Sequence, residues 1–157
     1  MGSIELRRAE AADVEAIAEL MLAARDASVV AGAMPAAVHP ASDMPRHVRE
    51  DVLPHREVWV AQAPHGPVVA VMALDESWLD DLYVSPGHAG QGIGSALLDL
   101  AKALRPGGFD LWVFEVNAPA RRFYERHGLV AVERTDGAGN VERAPDWRYA
   151  WAPGTAT

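Results

Sequence analysis

The sequence predicts a mixed α/β domain in which helices flank one central, mostly antiparallel sheet, and three observations carry that expectation. Short apolar or alternating runs recur along the chain between clusters of Pro, Gly, Asp and Asn, as strands require. Other stretches repeat apolar residues every three or four positions, as amphipathic helices do. Near the middle, an apolar run passes through a glycine-studded turn directly into a helical pattern and then into a further apolar run. That strand–helix–strand order implies one parallel crossover. The chain has 157 residues, half of them hydrophobic and 23% charged, enough for a single domain over residues 1–157 with its own core. No linker, repeat or low-complexity tract interrupts it.

Taken in order, residues 4–8 alternate as a first strand. Asp13 precedes a helical pattern through Val14, Ile17, Ala18, Met21 and Leu22. Prolines 35, 40, 45 and 54 break up the next segment, which leaves room for a helix over residues 47–53. Residues 58–63 and 68–74 read as strands joined by Pro64-His65-Gly66-Pro67, a hairpin-like connection. The second of these is continuously apolar and therefore central. A strand over 78–84 follows, then a helix over 92–104 with Ile93, Leu97, Leu100 and Leu104 inward, and a strand over 110–116. Pro119 suits the first turn of a helix and Gly128 the residue that closes it. Within that helix Ala120, Phe123, Tyr124 and His127 share a face. Residues 129–135, a loop at 136–140 and a last strand through Tyr149 complete the order.

Charge and composition exclude several classes of function. With 22 acidic against 14 basic residues, net −8, neither nucleic acid nor an anionic membrane is an expected partner, because both reward clustered Lys and Arg. The absence of cysteine rules out disulfides, thiolate metal sites and an acyl-cysteine intermediate. Six histidines at 39, 47, 55, 65, 88 and 127 show no ligand spacing, so no metal is expected. The first residues lack a signal-peptide pattern and no apolar run is long enough to span a bilayer, which makes the cytoplasm the expected compartment. Met1-Gly2 opens like a myristoylation site, but Leu6 stands where Ser or Thr is needed.

The chemistry begins at the glycine turn. Gly90, Gly92 and Gly94 remove Cβ atoms where the backbone must approach a ligand, and the first N–H groups of the following helix have no partner within it. Free N–H donors at the positive end of a helix form an anion cradle. The spacing is neither G-x-G-x-x-G nor a P-loop, which argues against a Rossmann-type nucleotide enzyme.

The segment Ala89-Gly90-Gln91-Gly92-Ile93-Gly94 resembles the acetyl-CoA motif Q/R-x-x-G-x-G/A of the GNAT N-acetyltransferases, with Ala89 in place of the usual Gln or Arg. Asn117-Ala118-Pro119-Ala120-Arg121-Arg122-Phe123-Tyr124-Glu125-Arg126-His127-Gly128-Leu129 is similar to that family's N-x-x-A-x-x-F-Y-x-x-x-G-F signature. Together with the order of elements, the resemblance covers nearly the whole chain and implies the GNAT, or acyl-CoA N-acyltransferase, fold. It also implies an acyltransferase that moves acetyl from acetyl-CoA to a primary amine by direct attack in a ternary complex. Leu82, Tyr83 and Val84 would line the pantetheine arm, residues 89–95, including Gln91, Ile93 and Ser95, would cradle the phosphates, and Asn117 would meet the pantetheine amides or a water. Tyr124 would act as general acid. The acceptor would be a small-molecule or peptide amine, and a homodimer is common in the family.

The attacking amine must be neutral, and for a pKa near 10.4 deprotonation at pH 7 costs about 4–5 kcal/mol. Glu76, Asp80, Asp81 and Glu115 are the carboxylates placed to help. Strand alternation gives Asp80 the parity of Leu82 and Val84, and Glu115 that of Leu111 and Val113, so Asp80 and Glu115 are the candidate bases, beside a water relay that needs neither. Trp78, Trp112, Trp147 and Trp151 lie on predicted strands and read as core, with Trp59 and Trp78 as possible acceptor walls. A module that binds acyl-CoA without turnover is the competing reading.

Overall fold

The computed structural model describes residues 3–153; Met1-Gly2, and with it the myristoylation-like start, lies outside them. Seven strands form one sheet: β1 (Glu5–Arg8), β2 (Glu57–Gln62), β3 (Val68–Asp75), β4 (Trp78–Val84), β5 (Phe109–Phe114), β6 (Val130–Thr135) and β7 (Asp146–Trp151). Their spatial order is β1-β2-β3-β4-β5-β7-β6, and every neighbouring pair is antiparallel except β4 with β5. Four helices accompany them: α1 (Val14–Val30), α2 (Met44–His47), α3 (Ile93–Leu104) and α4 (Ala118–Arg126).

The two faces of the sheet are separate cores. Alternation along the strands sends one set of side chains to each side. On one face Met72, Leu74, Leu79, Phe109, Leu111 and Val113 pack with Ile93, Leu97, Leu98 and Ala101 of α3 and with Tyr124 of α4. On the other, Val58, Val60, Val71 and Ala73 meet Ile17, Ala18 and Met21 of α1 together with Val48 and Val52. β3 is central, with Val69 to Leu74 at most 1% exposed, as its unbroken apolar run requires. Burying a Leu such as Leu97 or Leu98 contributes about 2 kcal/mol.

Several boundaries move from their sequence-based positions for identifiable reasons. Helix α1 begins after a tight turn over Ala11–Asp13, and Asp13 accepts the Glu10 N–H at 2.7 Å and both Arg7 guanidinium nitrogens at 2.9 Å. The helix expected over residues 47–53 starts earlier, at α2, and widens into a π-helical turn over Val48–Val52, where Leu53 N–H reaches back five residues to Val48. Strand β5 stops at Phe114 rather than 116, because Asn117 N–H folds back on the Phe114 carbonyl in a turn. Among the described residues, no helix is long and apolar enough to cross a membrane.

Candidate active site

The only registered pair between the parallel strands β4 and β5 is Trp78 with Asp110. Beyond it the strands part, so the edge of β4 from Asp81 to Val84 has no strand partner on its β5 side. An unpaired edge offers N–H and C=O groups to an extended ligand. A cleft of about 450 Å³ opens at that end of β4, lined by Leu82 and Val84, by the loop residues His88, Ala89, Gly90, Gly92, Ile93, Gly94 and Ser95, and by Ala120, Phe123, Tyr124 and Arg126 of α4.

The loop has the backbone its glycines require. Gly90 and Gly92 take φ of 79° and 83°, values that L side chains rarely adopt, and a Cβ built on either meets nothing within 4 Å. Gly92 sits immediately before α3, so the free N–H groups of the first helical turn face the cleft. Arg126 adds a cationic side chain to the lining. Ser95 bonds His127 Nε2 at 3.0 Å, and burial lowers the imidazole pKa of His127. Ala89 is exposed and extended, with φ −65° and ψ 146°.

Tyr124 is buried on the α3–α4 face, edge-on to Phe123 at 5.2 Å. Its hydroxyl makes no hydrogen bond to another described residue. Burial raises its pKa, and the next contributions come from Tyr83 and Asp81. Those two residues belong to the opposite face of β4: Asp81 pairs with Ala73 and Tyr83 with Val71, both in the α1-side core. Tyr124 and Asp81 therefore stand on opposite faces of the sheet. Asp81 has no ion pair and no hydrogen bond among the described residues. It lies deep in the fold yet keeps some accessible surface, as at the floor of a crevice, and burial, reinforced by Asp80, pushes its carboxyl up to about 6. Tyr83 is pushed up to about 12, first by burial and then by Asp81.

A model of the "Acetyltransferase (GNAT) domain" family matches residues 54–130, the stretch from β2 through the cradle to α4 and the start of β6. This stretch carries a GNAT acetyltransferase domain. The curated peptidyl-lysine N-acetyltransferase YjaB of Salmonella typhimurium is 35% identical over 86 residues, 55% of this chain and 59% of that protein. The chain thus aligns with somewhat more than half of that relative's length. The solution structure of apo YjaB from Escherichia coli superposes with a TM-score of 0.77 at 23% identity, covering 96% of this chain and 98% of the other. An N-acetyltransferase from Thermoplasma acidophilum solved in complex with coenzyme A gives 0.70 at 19% identity, covering 96% and 99%. At these identities the two structures establish the GNAT fold, including its mixed sheet flanked by helices.

Within this GNAT fold, the sequence-derived site residues fall into two groups. Leu82, Val84, Ala89, Gly90, Gly92, Ile93, Gly94, Ser95 and Tyr124 line one cleft. Gln91 is exposed outside the lining, and Tyr83 turns to the α1 side. Asn117 does not line the cleft; its Oδ1 accepts the Ala120 N–H at 3.2 Å and caps α4. The parity that aimed Asp80 at the cleft fails, because Asp81 pairs with Ala73 while Leu79 pairs with Leu74. Asp80 is the extra residue of a bulge, and Arg56 holds it at 2.7 Å. Glu115 lies past the end of β5, gripped by Arg134 at 2.6 Å and by Trp147 Nε1 at 3.1 Å, and those hydrogen bonds, Arg134 first, lower its carboxyl to about 2. Glu76 sits on the β3–β4 turn, at the opposite end of β4 from the glycine loop.

The sequence reading passed over Arg126 and His88 as cleft residues and set Asp81 behind its neighbour. Arg126 was within reach of helical spacing, three residues after Phe123. Asp81 was not, because a bulge leaves no local mark. Trp112 is a correction of another kind: it is 43% exposed rather than core. Trp59 is held by Glu57 and Arg8. Among the described residues, no three His, Asp or Glu side chains gather as a metal site.

Proposed function

We propose that the protein is an N-acetyltransferase that moves acetyl from acetyl-CoA to a primary amine by direct attack. The observation that carries this reading is the glycine cradle at the start of α3, with Tyr124 and the free edge of β4 lining the same cleft. The donor chemistry fits coenzyme A. Gly90 and Gly92 leave open space where side chains would stand, the α3 N-terminus supplies unpaired N–H groups, and the free edge of β4 matches an extended amide-bearing arm. Bound there, acetyl-CoA would supply an activated thioester acyl group.

The chain's own groups then divide the work. The carboxylate of Asp81 accepts the ammonium proton of the acceptor, a task suited to a base whose pKa of about 6 lies near neutrality. Glu115, near 2, is far less basic. A backbone N–H on the unpaired stretch of β4 near Val84 stabilises developing oxyanion charge. Tyr124 Oη donates a proton to the departing thiolate, and its raised pKa keeps it protonated at every working pH. Burial also raises a thiol, which offsets part of the rise in the donor.

The test is release of free CoA from acetyl-CoA across a panel of primary amines, run beside calorimetric titration with CoA. Amine-dependent release that falls at least a hundredfold in Tyr124→Phe supports the assignment. Tight CoA binding with no release for any amine would instead make the protein a binding module.

A further inference from the structure

Helices α1 and α2 cover only part of their face of the sheet. Helix α1 packs on β3 and β4, and beyond them the face of β5 and β7 is open. Trp112 is exposed there, stacked parallel to Trp78 with centroids 6.4 Å apart and planes 6° from parallel. A pocket of about 530 Å³ lies over this floor, lined by Trp112, Phe114, Thr135, Asn140, Glu142 and Asp146.

The charge of this pocket is unbalanced. Asp146 is only 9% exposed, yet it accepts hydrogen bonds only from the neutral Thr135 hydroxyl and, at 3.3 Å, from the Asn140 amide. No cation among the described residues offsets it. Nearby, Arg148 is shared between Asp110 and Glu133, while Arg25 is taken up by Glu142 at 2.9 Å. An indole face beside a buried, uncompensated carboxylate attracts a cation through both the ring and the charge.

Arg25 also joins this pocket to the reacting centre, since the guanidinium that holds Glu142 also acts electrostatically on Tyr83, two residues from Asp81. Asp146 on β7 stands two strands across the sheet from Asp81 on β4, at least about 10 Å, since two ordinary strand spacings give that much and β4 and β5 part beyond Trp78. We propose that this pocket holds the body of the acceptor and selects an aliphatic amine with a second cationic group at least about 10 Å from the reacting nitrogen. The reacting end meets Asp81, the chain lies along Trp112 and Phe114, and the far ammonium pairs with Asp146. The assignment rests on the acetyltransferase reading above and specifies its acceptor.

The experiment compares 1,8-diaminooctane with 8-amino-1-octanol, equal in length but with a hydroxyl in place of the second ammonium, and with the shorter 1,4-diaminobutane. Expected is a kcat/KM for the long diamine at least tenfold above both. That ratio should fall toward one in Asp146→Asn and in Trp112→Ala, with the KM for acetyl-CoA unchanged and both variants folded by circular dichroism. Asparagine can keep the Thr135 and Asn140 contacts while losing the charge, so it isolates the electrostatic part. A parent ratio within twofold of one, or a ratio that survives both substitutions, overturns the pocket assignment while leaving acetyl transfer intact. If none of the three amines is turned over, calorimetry of 1,8-diaminooctane on CoA-saturated protein decides, and absence of binding likewise overturns it. Failure to bind acetyl-CoA at all would instead sink the underlying function.

Discussion

Trp78 pairs with Asp110, and past that pair β4 and β5 separate. This one relationship creates the cleft: it frees the β4 edge and sets the glycine loop at its mouth. Helix α3, which closes the crossover, carries the cradle at its first turn.

The cradle is best probed at Ala89. A substitution at Gly92 strains a backbone at φ 83°, so a loss of binding there would mix folding with recognition. Ala89 is extended and exposed on the cleft wall and accepts any side chain. Ala89→Glu should weaken CoA binding at least tenfold by setting a negative charge beside the phosphates, while Ala89→Arg should tighten it severalfold. Titration calorimetry reads both, and equal affinities in the two variants would remove the phosphates from this loop.

Tyr124→Phe should lower kcat by roughly 10²–10⁴-fold with little change in CoA affinity, as loss of one proton donor does. Because the hydroxyl makes no hydrogen bond to another described residue, thermal stability should hold within a few degrees. A rate within twofold of the parent would rule out the acid role.

Asp81 should also cost stability. Its folded pKa of about 6 exceeds the ordinary 3.8, so between those values the folded state binds more protons than the unfolded one. Stability therefore falls as pH rises from about 4 to 6, by at most about 3 kcal/mol, and stays lower above that. Asp81→Asn should raise the melting temperature at pH 8 and gain little at pH 4. Equal shifts at both pH values would mean that the carboxyl is not perturbed.

What was legible in the sequence was what is written locally. Gly90 and Gly92 mark their own turn, the periodicity of Ile93, Leu97 and Ala101 marks α3, and the unbroken run before Leu74 marks a central strand. Much of what was not legible turns on pairing between distant segments. A single extra residue at Asp80 reverses the parity of the strand before it, and it is visible only once Leu79 is matched to Leu74 and Asp81 to Ala73. Arg56, 24 residues away, takes up Asp80, and Arg134 takes up Glu115; neither partnership has a spacing to read. Trp112 looks like core on its strand, and it is exposed because no helix covers β5 on that face.

The most direct test of the account is the pH dependence of kcat/KM for one amine acceptor in the parent, Asp81→Asn, Asp80→Asn and Glu115→Gln. The account predicts an acidic limb with a midpoint near 6 in the parent, kept by the Asp80 and Glu115 variants and abolished in Asp81→Asn, with CoA affinity unchanged throughout. A limb that persists in Asp81→Asn and follows the acceptor's own pKa would contradict it, leaving a water relay to deliver an already neutral amine.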